Sequence, residues 1–349
     1  SGGPLVHLHT GEIIGVQQSG QWVDIKEGKY AYSLPTKQFF DKTKALMALQ
    51  NLAMNQRTMD GLIAALPSNS VAQVAASSFV EATETTTSDI NTKPTKGYDP
   101  EFLSGATVEL PQMSPGILDT AVQNGKVFDY QHFSIVMNQE RRFAVFAAAN
   151  VDGSTHRRVA RHRVIWRFDP RVPKDTQANN DLFRHNLLDR GSLVRRTSVT
   201  WGTTEAANEA STATFHYTNV VPQYSILNQR SWLQLEDFIL NPVIAGELRA
   251  SIFTGPVFRD DDPEYRGYML PRSFWKIAII DFGEGDYRVL SYVLSQDLDT
   301  RSDDLDSISI QTFDPITTLT PVREIEALTG LDFGRIKDYP VGLLKIQVE

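Results

Sequence analysis

Apolar residues in this chain fall into blocks of two kinds. Runs rich in β-branched and aromatic residues occupy 128–137 (Phe-Asp-Tyr-Gln-His-Phe-Ser-Ile-Val-Met), 141–153 (Arg-Arg-Phe-Ala-Val-Phe-Ala-Ala-Ala-Asn-Val-Asp-Gly) and 271–277 (Pro-Arg-Ser-Phe-Trp-Lys-Ile). Such side chains favour an extended backbone, so these blocks predict sheet strands. Helical spacing governs a second set. Leu49, Leu52, Ala53, Met59, Leu62 and Ile63 recur at roughly helical intervals, and Lys37 to about Gln56 reads as a helical run. A stripe of this kind serves core packing rather than a ligand. Arg323 to Leu328 predicts a short helix stopped by Gly330, because glycine readily closes a helix in the left-handed conformation. Between the halves, 67–100 carries Pro67, Ser68, Ser70, Ser77, Ser78, the polar run 81–88 and Pro94 to Pro100. That composition buries too little surface to offset its ordering entropy. The expected organisation is therefore an amino-terminal part (1–66), a flexible linker (67–104) and a larger domain (105–349).

Composition narrows the classes. The chain has 349 residues, 41% of them hydrophobic, which is ample for a core. No apolar run approaches the ~18 residues of a membrane span, so no membrane partner is expected. The absence of cysteine excludes disulfides, thiolate zinc and thiol catalysis, and fits a reducing, cytoplasmic (bacterial) setting. Asp260-Asp261-Asp262 and the acidic stretch 297–306 lack the glycine and terminal glutamate of a calcium loop, and read as solvated loops. No P-loop, dinucleotide fingerprint or internal repeat occurs. Net charge is −8, yet 156–196 holds 11 Lys or Arg against 4 Asp. A local balance of about +7 leaves the remainder near −15, so any field attractive to phosphate is concentrated there.

The basic segment leads into Asp189-Arg190-Gly191-Ser192, and Asn228 follows Ser192 by 36 positions, with Asn219 before it and Glu236 after it. Asn228 and Glu236 are eight residues apart, about 12 Å and 2.2 turns on an α-helix, so both are expected on nearly one face. Hydrolysis of a phosphodiester needs a base for water, a hard cation for the developing charge and cationic donors for the remaining oxygens. This string resembles the active site of the DNA/RNA non-specific endonucleases, the ββα-metal nucleases, whose signature is Asp-Arg-Gly-His followed by a metal-binding Asn. Blocks 128–137, 141–153, 253–258, 271–277 and 324–333 fall in that family's order, covering about 240 residues. The implied fold is α+β, a central antiparallel sheet flanked by helices with a ββα element on one side.

The resemblance implies Asn228 as the ligand of Mg2+, with Mn2+ as a substitute, and Asn219 and Glu236 organising the site around the hydrated cation. It implies Arg163 as the arginine that meets the transition state, with Arg167 as the alternative. Arg190, Arg195 and Arg196 belong to the nucleic-acid-binding surface, Arg190 bracing the motif through carboxylate pairs. DNA and RNA are the expected substrates, read with little sequence preference, and family members are often dimers. One residue departs from the pattern. Ser192 stands where the family has its catalytic histidine, and a serine hydroxyl is no base near neutral pH. His185, seven residues upstream, occupies a position that is not catalytic in the family. The chain is therefore expected to bind metal and nucleic acid but to cut weakly. Either a substitution introduced to silence a toxic nuclease or a natural loss of catalysis accounts for Ser192, and the intact remainder of the motif favours the former. The competing function is a catalytically dead nuclease fold acting as a nucleic-acid-binding or assembly subunit.

The amino terminus carries a second resemblance. Ser1-Gly2-Gly3-Pro4-Leu5-Val6, then 10–20 and 30–36, then the helical run, resembles the end of a trypsin-like or HtrA-like serine protease domain beginning at its nucleophile, Ser1. A cleaved tag also leaves Ser-Gly-Gly, but not the strand–turn–strand–helix order that follows. The implied partner is an upstream protease fragment, since two strands and a helix cannot close a β-barrel alone. The implied setting is a bacterial defence effector controlled by proteolysis, with no protease activity in this chain by itself.

Overall fold

The computed structural model describes residues 97–160, 165–296 and 310–341, together with the backbone of 4–6, 13–18 and 21–24. The chain divides into two compact units. In the first, β1 (Pro4–Val6), β2 (Ile13–Gln18) and β3 (Gln21–Asp24) form an antiparallel meander. Three short strands do not define a trypsin-like barrel. Ser1, the helical run from Lys37 and the stripe from Leu49 to Ile63 lie outside the described residues.

In the second unit, β4 (Gln112–Met113) and α1 (Pro115–Thr120) precede β5 (Val127–Tyr130), β6 (Phe133–Met137) and β7 (Ala144–Asp152). The predicted block 128–137 thus splits into two strands. His132 adopts φ +70° at the bend between them. Next come β8 (Leu188–Ser192), α2 (Thr204–Ala213) and β9 (Val220–Tyr224). A π-helical turn (Leu227–Trp232) then opens α3 (Leu233–Ala245). The chain continues through β10 (Arg249–Val257), the small hairpin β11 (Glu264–Tyr265) and β12 (Tyr268–Met269), β13 (Ser273–Asp281) and β14 (Tyr287–Ser295). It closes with α4 (Val322–Thr329) and β15 (Leu331–Asp332). Gly330 caps α4 at φ +70°, the stop expected from sequence.

The six-stranded sheet runs β14-β13-β10-β7-β6-β5 with every pair antiparallel. Its central strands β7 and β13 are buried at every position. Both faces of the sheet are therefore covered, which is why those segments read as continuous apolar runs rather than alternating ones. Trp275, Ile277 and Ile279 pack in one cluster with Val322, Ile325 and Phe333. From α3 and its opening turn, Trp232 meets Phe274 edge-on and Phe238 meets Tyr292. The folded region also begins earlier than the expected linker boundary at 104. Tyr98 is buried, donates its hydroxyl to Val108 O at 2.7 Å and takes Ser134 Oγ on its backbone N–H at 2.8 Å, and Leu103 is buried too. A buried ring and leucine tie 97–104 to the sheet, so only 67–96 of the predicted linker falls outside the described residues.

Candidate active site

β8 and β9 pair as a separate two-stranded ribbon, with Asp189 opposite Gln223 and Ser192 opposite Val220. The second strand then runs almost directly into the π turn and α3, so a ribbon and a helix are joined in one element. Alternation along β8 sends residues 189 and 191 to one side and 190 and 192 to the other. Gly191 is required on its side. A Cβ there would lie 2.3 Å from Gln223 Oε1, and Gln223 is 1% exposed.

Asn228 lies in the π turn and donates Nδ2–H to Asp189 Oδ2 at 2.9 Å; Gln229 donates to the same oxygen at 2.9 Å. The carboxylate thus fixes which end of the Asn228 amide faces it, and leaves the amide oxygen turned from that contact. Glu236 lies one helical stretch further on. Its Oε1 is 3.5 Å from Lys276 Nζ and its Oε2 is 3.9 Å from Arg195 Nε, with the Glu236 side chain 10% exposed and that of Lys276 4%. Burial pushes the Glu236 carboxyl up from its ordinary range and pulls the Lys276 ammonium down, each opposed by the charge of the other. The expected single-face arrangement of Asn228 and Glu236 is modified by the π turn, which widens the helix between them. One meets Asp189 and the other meets Arg195, residues three before and three after Ser192.

The remaining predicted residues are placed as follows. Asn219 is fully buried, and its side chain is committed to backbone: Oδ1 accepts from Val194 N at 2.9 Å, while Nδ2 donates to Val194 O at 3.0 Å and Thr214 O at 3.1 Å. It clamps the chain just beyond Ser192. Arg190 donates to Asn180 Oδ1 and lies over the rings of Trp166 and Phe183. Arg195 pairs with Asp237 at 2.7 Å, and Arg196 donates to Val159 O at 3.1 Å and Ser211 Oγ at 3.4 Å. These three arginines are brackets of the fold around the motif. Arg167 is exposed, with its backbone paired to Phe215 and Tyr217. Arg163 lies outside the described residues. Ser192, half-buried, ends β8 on the Arg190 side.

A hard, oxygen-seeking divalent cation suits this donor set. Mg2+ keeps most of its waters and takes few protein ligands. The oriented Asn228 amide supplies one oxygen, and Glu236 supplies a largely buried carboxylate held by Lys276 and Arg195. Among the described residues no group of three or more His, Asp or Glu side chains could hold a metal, so a cation here would depend on an amide and on water. Sequence reasoning missed two contributors, Asp189 as the orienter of Asn228 and Lys276 as the partner of Glu236. The signal for the second was present, as a lone lysine inside the apolar run Phe-Trp-Lys-Ile-Ala-Ile-Ile.

An antiparallel ribbon feeding a helix that returns an amide to the first strand and a carboxylate to the segment just beyond it defines a ββα element on an α+β scaffold. Residues 118–338 match the family model of the DNA/RNA non-specific endonucleases, and the chain belongs to that family. It is 36% identical over 222 residues to the uncharacterized protein y4fB of Sinorhizobium fredii (strain NBRC 101917 / NGR234), a match covering 58% of this chain and 32% of that protein. To mitochondrial endonuclease G of Homo sapiens it is 26% identical over 186 residues, covering 50% of this chain and 57% of the relative. The chain therefore spans between about a third and somewhat over half of these relatives' lengths. The crystal structure of an EndoG/EndoGI complex superposes with a TM-score of 0.45 at 15% identity, over 59% of this chain and 84% of the other.

Proposed function

We propose that this chain carries a Mg2+-dependent endonuclease site for DNA and RNA, weakened by Ser192. The observation that carries the reading is the Asn228–Asp189 contact, which turns the amide oxygen away from the carboxylate and ready for a cation. Mg2+, or Mn2+ in its place, supplies charge neutralisation at the phosphorus and the leaving oxygen. Glu236 holds water beside it, Asn219 fixes the backbone after Ser192, and Arg163, with Arg167 as the alternative, meets the phosphate oxygens. Arg190, Arg195 and Arg196 hold the basic segment against the ribbon. No imidazole stands at 192 to take a proton from water, and loss of a general base costs about 10²–10⁴ in rate.

The experiment is the Ser192→His substitution, assayed on plasmid and on RNA. Cleavage is expected to rise by about 10²–10⁴, with Mg2+ present and EDTA abolishing it. A folded variant that stays silent would favour the second reading, a nuclease fold serving as a nucleic-acid-binding subunit.

The same proposal assigns 1–66 to the end of a trypsin-like domain starting at Ser1, with an upstream protease fragment as partner. It places the protein in a bacterial cytoplasm as a defence effector released by proteolysis, with dimerisation as in many family members. Support for this part comes from the residue string at the amino terminus and from the meander of β1 to β3. Intact-mass analysis of the purified protein tests it: a co-eluting upstream fragment is expected, and a lone 39 kDa species would count against it.

A further inference from the structure

Lys276 occupies a position that an apolar residue would fill at less cost. It lies in β13 between Trp275 and Ile277, both fully buried. Its ammonium donates to Thr254 Oγ1 of β10 at 2.9 Å and to Leu193 O, one residue past Ser192, at 3.4 Å, and lies 5.2 Å from the centre of the Trp232 ring. Every contact thus comes from the sheet or from the ββα element. Burying two opposite charges rarely adds net stability over a well-packed apolar pair, so a stabilising role alone accounts poorly for the arrangement. At 3.5 Å the Lys276 ammonium pairs with Glu236 Oε1, and Arg195 Nε stands 3.9 Å from the other carboxylate oxygen. The carboxylate is thus held in place between two cations, the nearer of them Lys276.

We propose that Lys276 is a positioning residue of the nuclease site, acting through Glu236: anchored by Thr254 and Leu193, it holds the carboxylate aimed at the waters of a cation on Asn228. This rests on the metal reading above. Without the ammonium, Glu236 keeps only the more distant Arg195 guanidinium as a counter-charge and loses its fixed direction. Residues that orient a metal's immediate partners typically change affinity by about 10–100-fold when removed.

The test is Mn2+ binding to the full chain, followed by electron paramagnetic resonance, with folding checked by circular dichroism. Lys276→Met and Glu236→Gln should each weaken Mn2+ by about 10–100-fold, and the double variant should bind no worse than Glu236→Gln alone, because both changes remove one interaction. Lys276→Arg should recover part of the loss. Should Lys276→Met fail to fold, Thr254→Val removes only the anchor and should weaken Mn2+ several-fold. Unchanged Mn2+ affinity in folded Lys276→Met or Thr254→Val, or losses that multiply in the double variant, would overturn the proposal. Asn228→Ala separates the two readings. If it binds Mn2+ as the parent does, the metal reading itself is wrong; if it loses Mn2+ while Lys276→Met does not, only the role of Lys276 falls.

Discussion

Asn228 Nδ2 and Asp189 Oδ2 meet at 2.9 Å across 39 positions of sequence, joining the π turn to the first strand of the ribbon. An amide has a donor end and an acceptor end, and a carboxylate accepts only. This single contact decides the orientation of Asn228. Removing it in Asp189→Ala frees the amide to turn over and present N–H to the cation instead of oxygen. Mg2+ or Mn2+ affinity should fall by about 10–100-fold, measured by calorimetric titration. An unchanged affinity would show that the amide is oriented by something else.

Gly191→Ala should destabilise the ribbon. The added methyl falls 2.3 Å from Gln223 Oε1, with Gln223 itself almost fully buried. Overpacking of this kind costs about 1–3 kcal/mol, visible as a lower melting temperature. The double variant Gly191→Ala/Gln223→Ala should regain much of it, and absence of rescue would place the strain elsewhere.

Asn219→Ala leaves the backbone N–H and C=O of Val194 and the C=O of Thr214 without their partner. A buried group left unsatisfied costs about 1–3 kcal/mol. Chemical denaturation should show a loss of at least this size, while Mn2+ affinity of the folded protein changes little. A large metal effect with unchanged stability would instead make Asn219 a direct participant.

His216 gives the pH prediction. Burial holds its imidazole below the ordinary histidine value of 6.5, and its Nδ1–H donates to Ala213 O at 2.8 Å. The unfolded chain therefore binds a proton that the folded chain resists, so this contribution to stability is intact above pH 6.5 and is lost as pH falls below it toward the depressed value. His216→Asn retains a donor but not the titration. Thermal melts should lose less stability than the parent protein between about pH 6.5 and 5; parallel curves for the two proteins would exclude His216 as the cause.

Much of the fold was legible because strand and helix signals are local. The aromatic and β-branched blocks became β5, β6, β7 and β13, and Gly330 capped α4 as its freedom at positive φ predicts. The π turn was not legible. Straight helical arithmetic from Asn228 to Glu236 assumes one pitch throughout, and nothing in Leu-Asn-Gln-Arg-Ser-Trp marks the wider turn. The same limit applied to the arginines. A basic run reads as a phosphate surface, yet Arg190, Arg195 and Arg196 turn to Asn180, Asp237 and Ser211, partners whose nearness depends on how distant segments pack.

The amino-acid sequence alone determined which groups are available: an Asp-Arg-Gly string, an amide and a carboxylate at fixed intervals, a local excess of positive charge, and a hydroxyl at position 192. Residue identity and spacing are written in the covalent chain, and chemistry follows from them directly. Tertiary structure decided how those groups are aimed. Asp189 sets the Asn228 amide, and Lys276, a lysine from a strand 40 residues beyond Glu236, sets the carboxylate. Orientation comes from contacts between segments far apart in sequence, and only the folded sheet and ribbon bring those segments within hydrogen-bonding and ion-pairing range.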